Sequence, residues 1–149
     1  MKRLLAVSAV VVASAMTQAQ FGGSLNSVPA FHDQSPAKGD VLPAILSQKQ
    51  LADAGLTEAA QKESYKAAIR TSAIAYQLPC YCYCDRNHGH KSLRSCFEST
   101  HGANCGTCMA EVLYAYKMSK KGWTAKMIRD GIMRGDYKQM DLQHPDPVL

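Results

Sequence analysis

A chain of 149 residues holds one small domain plus extensions, and its formal net charge of +5 is too mild to point to nucleic acid. All six cysteines fall between Cys80 and Cys108, so their chemistry is confined to one compact stretch. A core this small needs reinforcement, which cysteines commonly supply in an oxidising compartment.

The first 19 residues read as a secretory signal. Lys2 and Arg3 form a positive start, Leu4 to Val12 is an apolar run broken only by Ser8, and Thr17-Gln18-Ala19 resembles a small-x-small cleavage site. The run is too short to span a bilayer of ~30 Å as a mature helix. No cysteine lies near the cleavage point for lipidation, and no arginine pair marks a twin-arginine route. The expectation is therefore a periplasmic or secreted protein without a membrane span after cleavage, which acquires any cofactor after export. Loss of Lys2 and Arg3 lowers the formal charge from +5 to +3.

Residues 20–43 are rich in Gly, Ser, Asn and Pro and lack periodicity, which predicts an extended arm, with Pro29 to Phe31 able to dock as a hydrophobic latch. Order is expected over residues 44–137. Ser47 to Ala54 predicts a short helix stopped by Gly55. Thr57 caps a longer one to Tyr76, with Tyr65, Ala68, Ile69, Ser72, Ala73 and Tyr76 on one stripe, ended by Pro79. The alternating Cys80, Cys82 and Cys84, with Tyr81 and Tyr83 between them, predicts an extended strap with its sulfurs on one side. Ser92 caps a short helix carrying Leu93, Cys96 and Phe97. Asn104 caps a helix from Cys105 to Lys120 that buries Val112, Leu113, Tyr116 and Met109. Thr124 opens a last helix with Met127, Ile128 and Ile132, closed by Gly135, and residues 138–149 read as a loose tail. Alternating β-branched runs are missing from the mature part, so the fold class is a small all-α domain of three to four helices with an extended cysteine strap.

The candidate site is Cys80, Cys82, Cys84, Cys96, Cys105 and Cys108, with His90 and His101 beside them and His88 in a polar turn at Gly89. Cys105 and Cys108 are three apart at a helix start, on one face and near free N–H groups that favour the thiolate. Soft thiolates select copper(I) or zinc, and the histidines exceed what stapling requires. A disulfide reading stays open. Cysteines two apart are poorly placed to bond each other, so each strap cysteine would pair with Cys96, Cys105 or Cys108. Met109 stands where a c-type haem site needs histidine, and no strand-helix-strand context suits a thioredoxin-like enzyme. Asp85 and Glu98 read as surface carboxylates, and the tyrosines as core rings with exposed hydroxyls. The leading expectation is a binder of copper or zinc, without turnover of its own, serving as carrier, buffer or partner of an extracytoplasmic metalloprotein. The alternative is a disulfide-stapled or thiol-exchange protein with a redox partner.

Pro79-Cys-Tyr-Cys-Tyr-Cys-Asp85, Gly89 to Leu93, Cys96-Phe97, His101-Gly102 and Cys105-Gly-Thr-Cys108 resemble the exported PCYCGC-motif (CYCXC) family, as do Arg129-x-Gly-Ile and Arg134-Gly-Asp-Tyr further on. The likeness covers about Pro29 to Tyr137. Tyr83 stands where many members carry glycine, and the lipobox cysteine of many members is missing. The resemblance implies an exported bacterial protein and brings no settled biochemical function. Some members are selenoproteins, which implies reactive or metal-bound chalcogens over inert staples.

Overall fold

The computed structural model describes residues 27–149. The expected signal peptide, residues 1–19, lies outside the described residues, as does the start of the arm. Among the described residues there are six helices and no strands, so the all-α class holds. No described helix is long and apolar enough to cross a membrane.

Helix α1, Gln48–Asp53, opens with a reciprocal capping box between Ser47 and Gln50. Helix α2, Ala59–Arg70, starts from Glu58 rather than Thr57. The single helix expected as far as Tyr76 breaks at Thr71, whose Oγ1 donates to the Ala67 carbonyl and whose backbone leaves helical geometry at φ −116°, ψ 24°. Such a side-chain bond competes with the helical ladder and bends the chain there. A short helix α3, Ser72–Ala75, follows.

Helix α5, Gly106–Lys120, is the centre of the domain, and α2, α6 and several short turns pack on it. It buries Cys108, Ala110, Glu111, Val112, Leu113, Tyr114, Ala115 and Met118, almost all the way round, where a single stripe was expected. Its N-cap is Cys105, one residue later than Asn104. Helix α6, Ala125–Arg134, follows the expectation except at Met127, which is exposed: the Thr124 side chain accepts from the Met127 N–H, Ile128 and Ile132 face inward, and Gly135 ends it at φ 85°.

The chain from Leu78 to Cys105 departs furthest from its expected form. The strap is not extended. A turn at Tyr81 and Cys82 leads through Tyr83, at φ 57° and ψ 32°, into helix α4, Cys84–His88. Two 3-10 turns follow, Leu93–Phe97 and Gly102–Asn104. Alternation of Cys and Tyr imitates strand periodicity without the β-branched residues that make a strand.

Both ends of the described chain are fastened to the domain. Pro29 is buried, Arg129 stacks over the Phe31 ring at 4.3 Å, and the His32 ring lies on Tyr76 at 3.8 Å. The tail expected to be loose is anchored as well. A 3-10 turn, Asp136–Gln139, leads back to Val148, which is buried and donates its N–H to Glu63, while Leu149 exchanges backbone bonds with the Tyr116 hydroxyl. Unmet polar groups at a chain end find partners on the nearest surface, which composition alone does not reveal.

Candidate metal centre

Three short elements bring the cysteines to the start of α5. Cys80 and Cys82 come from the turn before α4, and Cys84 is its first residue. Cys96 lies in the Leu93–Phe97 turn, and Cys105 and Cys108 cap and open α5. The sulfurs meet closely. Cys80 Sγ is 3.4 Å from Cys82 and 3.3 Å from Cys108, Cys82 is 3.6 Å from Cys108, and Cys84 is 3.3 Å from Cys96. All six are free thiols, well beyond the ~2.05 Å of a sulfur–sulfur bond.

Two histidines join the sulfurs. His90 Nδ1 is 3.4 Å from Cys96 Sγ, and His101 Nε2 is 3.9 Å from Cys82 Sγ. The donors form four overlapping groups whose ligand atoms lie within 4.8 Å of one another: Cys82, His101, Cys105 and Cys108; Cys84, His90, Cys96 and His101; Cys80, Cys82 and Cys84; and Cys80, Cys96 and Cys108. All eight candidate residues are thus brought together. The exposed His88 ring lies tilted at 4.7 Å from the His101 ring but belongs to none of these groups.

The donor sets suit a soft ion. Three sulfurs with one imidazole, and two sulfurs with two, are the sets of closed tetrahedral zinc sites, and the three-sulfur groups suit copper(I). Metal–sulfur bonds of ~2.3 Å put the sulfurs of a tetrahedral site about 3.8 Å apart, so separations of 3.3 to 3.6 Å need only slight expansion. Negative charge is shared unequally within the cluster. Hydrogen bonds from Cys105, Cys108 and Cys80 hold the Cys82 thiol well below the usual cysteine range, whereas Cys105, Cys80 and Cys82 push Cys108 up.

Several polar side chains outside the cluster fix these short elements in place. Glu111, fully buried one turn after Cys108, accepts the Tyr81 N–H at 2.9 Å and so ties the start of the strap to α5. Burial pushes its carboxyl up to about 8, against the pull of that N–H, and its second oxygen, Oε2, has no partner. The buried Arg94 joins three segments: it pairs with Glu98, donates to Ser72 Oγ at 2.9 Å and to the Pro43 carbonyl at 2.7 Å. Tyr65 is buried to its hydroxyl, which donates to the Ser99 carbonyl and accepts from the Ala103 N–H, holding the segment that carries His101. Beside His101, a Cβ on Gly102 would stand 2.9 Å from the Cys96 carbonyl and the Phe97 ring. Only glycine lets the two turns approach this closely.

The reading of the sequence passed over Glu111 and Arg94 and gave Tyr65 an exposed hydroxyl. Glu111 had a usable signal: it stands between Ala110 and Val112 in a helix that is apolar on both flanks. Of the two carboxylates weighed there, Glu98 is the partner of Arg94, and Asp85 accepts the Ala30 N–H at 3.0 Å, which fastens the arm.

Tyr83 is the only non-glycine residue with positive φ among the described residues. A left-handed backbone costs a residue with a Cβ about 1–2 kcal/mol and glycine almost nothing. Here the ring is held by an edge contact with Tyr81 at 5.8 Å and by Arg86, 4.1 Å from its centroid. Glycine at this place would make the turn that aims Cys82 and Cys84 without that cost.

No curated protein and no solved structure matches the chain. A family model does match, over residues 4–146, described as a protein of unknown function with PCYCGC motif. The chain belongs to the PCYCGC-motif family.

Proposed function

We propose that this protein is exported and captures a soft metal ion, copper or zinc, through its clustered thiolates, as a carrier, buffer or accessory protein without turnover of its own. The observation that carries the reading is the convergence of six free thiols and two imidazoles into overlapping donor groups. A domain whose apolar core already runs along α2, α5 and α6 has no need of so many donors at one end. Each thiol gives up its proton on ligation, so capture releases protons and is favoured as pH rises. Thiolates supply the soft donors that distinguish copper(I) and zinc from magnesium or calcium. The periplasm or extracellular space is the site of action that the N-terminal segment favours.

The test is a competition titration of chelated, reduced protein with zinc(II) and copper(I) against a chromophoric chelator, with free thiols counted in parallel. The reading expects the protein to withdraw metal from the chelator and to lose reactive thiols in proportion. Metal left with the chelator while all six thiols stay reactive sinks it.

A second reading has one specific support. Each strap cysteine has a neighbour outside the strap: Cys80 with Cys108, Cys84 with Cys96, and Cys82 within the group containing Cys105. Oxidation in that pattern would yield a three-disulfide protein. Peptide mapping of non-reduced protein distinguishes the two states.

A further inference from the structure

Resting on the metal reading, the arrangement of donors bears on how many ions the centre takes. One tetrahedral ion uses four donors, and eight converge here. Among them are two four-donor groups that share His101. Cys82, Cys105 and Cys108 make one with His101, and Cys84, Cys96 and His90 make the other, again with His101. A neutral imidazole ligates through one nitrogen, so His101 serves one ion and the other group needs a further donor. Cys80 is outside both groups and adjacent to each: it clusters with Cys82 and Cys84, and separately with Cys96 and Cys108. A thiolate so placed has lone pairs for two ions at once.

The two groups differ in access to solvent. In the first, Cys82 and Cys105 are both partly open, and only Cys108 is buried. In the second, both sulfurs are closed off, Cys84 at 3% exposure and Cys96 at 0%. Ligand exchange proceeds by an incoming donor approaching the ion, so the open group is the one from which a partner or chelator can take metal.

We propose that the centre holds two ions of unequal mobility: an exchangeable one at Cys82, Cys105, Cys108 and His101, and a retained one at Cys84, Cys96 and His90, with Cys80 between them. The retained ion orders the strap, and the exchangeable one is the cargo.

The experiment loads the reduced full-length mature chain with zinc(II) alone, counts ions by native mass, and follows their release to a large excess of 4-(2-pyridylazo)resorcinol. Two zinc ions per chain are expected, leaving in two phases of equal amplitude whose rates differ by about tenfold or more. Cys105→Ser should remove the fast phase and leave one slow ion, and Cys96→Ser should remove the slow phase. One zinc per chain, or two released in a single phase, overturns the two-ion assignment and leaves the metal reading standing. No zinc retained overturns both. The count and the number of phases in the unsubstituted protein decide the matter even if a variant fails to fold.

Discussion

Along α2, α5 and α6 the protein is held by apolar burial, with Tyr65, Ala68, Val112, Leu113, Ile128 and Ile132 in one core. Between Leu78 and Cys105 no regular element exceeds five residues, and the backbone is held by single polar groups from elsewhere: Glu111 on Tyr81, Arg94 on Pro43, Tyr65 on Ser99. The second region also buries Leu78, Leu93, Cys96 and Phe97 in that same core, but its short pieces cost conformational entropy without the ladder of a long helix. Ligation of the sulfurs is the interaction that would offset that cost, so metal dependence belongs in the second region.

The largest expected effect comes from releasing the second region from the segments that hold it at Ser72 and Pro43. Arg94→Ala leaves Glu98 without its partner and frees Ser72 and the Pro43 carbonyl. A loss of about 3–5 kcal/mol is expected from urea unfolding of the metal-free, reduced protein. A change below ~1 kcal/mol would show that Arg94 does not hold these segments together.

Damage to the frame alone should spare the site. A Cβ on Gly131 would overlap the Tyr114 hydroxyl, forcing that ring aside. Gly131→Ala should cost about 1–3 kcal/mol while the number of ions bound per chain stays the same. If metal binding fell with stability, the two regions would have to be treated as one unit.

The smallest effect is expected at Tyr83. Replacement by glycine relieves the left-handed backbone but forfeits the contacts with Tyr81 and Arg86, for a net change within ~1 kcal/mol and an unchanged ion count. Tyr83→Val keeps the strain with a β-branched residue and should lower metal affinity. Equal behaviour of the two variants would remove the conformational account of the motif glycine.

The same division governs how far the structure was legible in the sequence. In the frame, local signals mostly sufficed: Thr124 caps as expected, Gly135 ends α6, and the apolar spacing of Ile128 and Ile132 gives the buried face. Where two such signals competed, as at Thr71, a side-chain bond to Ala67 decided for a break that periodicity does not show. In the site, the types and spacing of Cys80 to Cys108 marked the residues that the structure brings together. Their backbone was misread, because a residue with Tyr83's side chain gives no hint of a left-handed turn. Glu111 and Arg94 were missed for a different reason. A charged residue defaults to the surface unless its partners are known, and those partners lie 30 residues away at Tyr81 and 51 away at Pro43.

The central claim is that the six thiols are ligands, and intact mass under native and denaturing conditions tests it most directly. The protein should be taken from the extracytoplasmic fraction without chelator. The account predicts a denatured mass equal to the fully reduced chain and a native mass heavier by bound copper or zinc. A metal-free chain about 6 Da light, with three disulfides, would contradict it and make the cluster a structural staple.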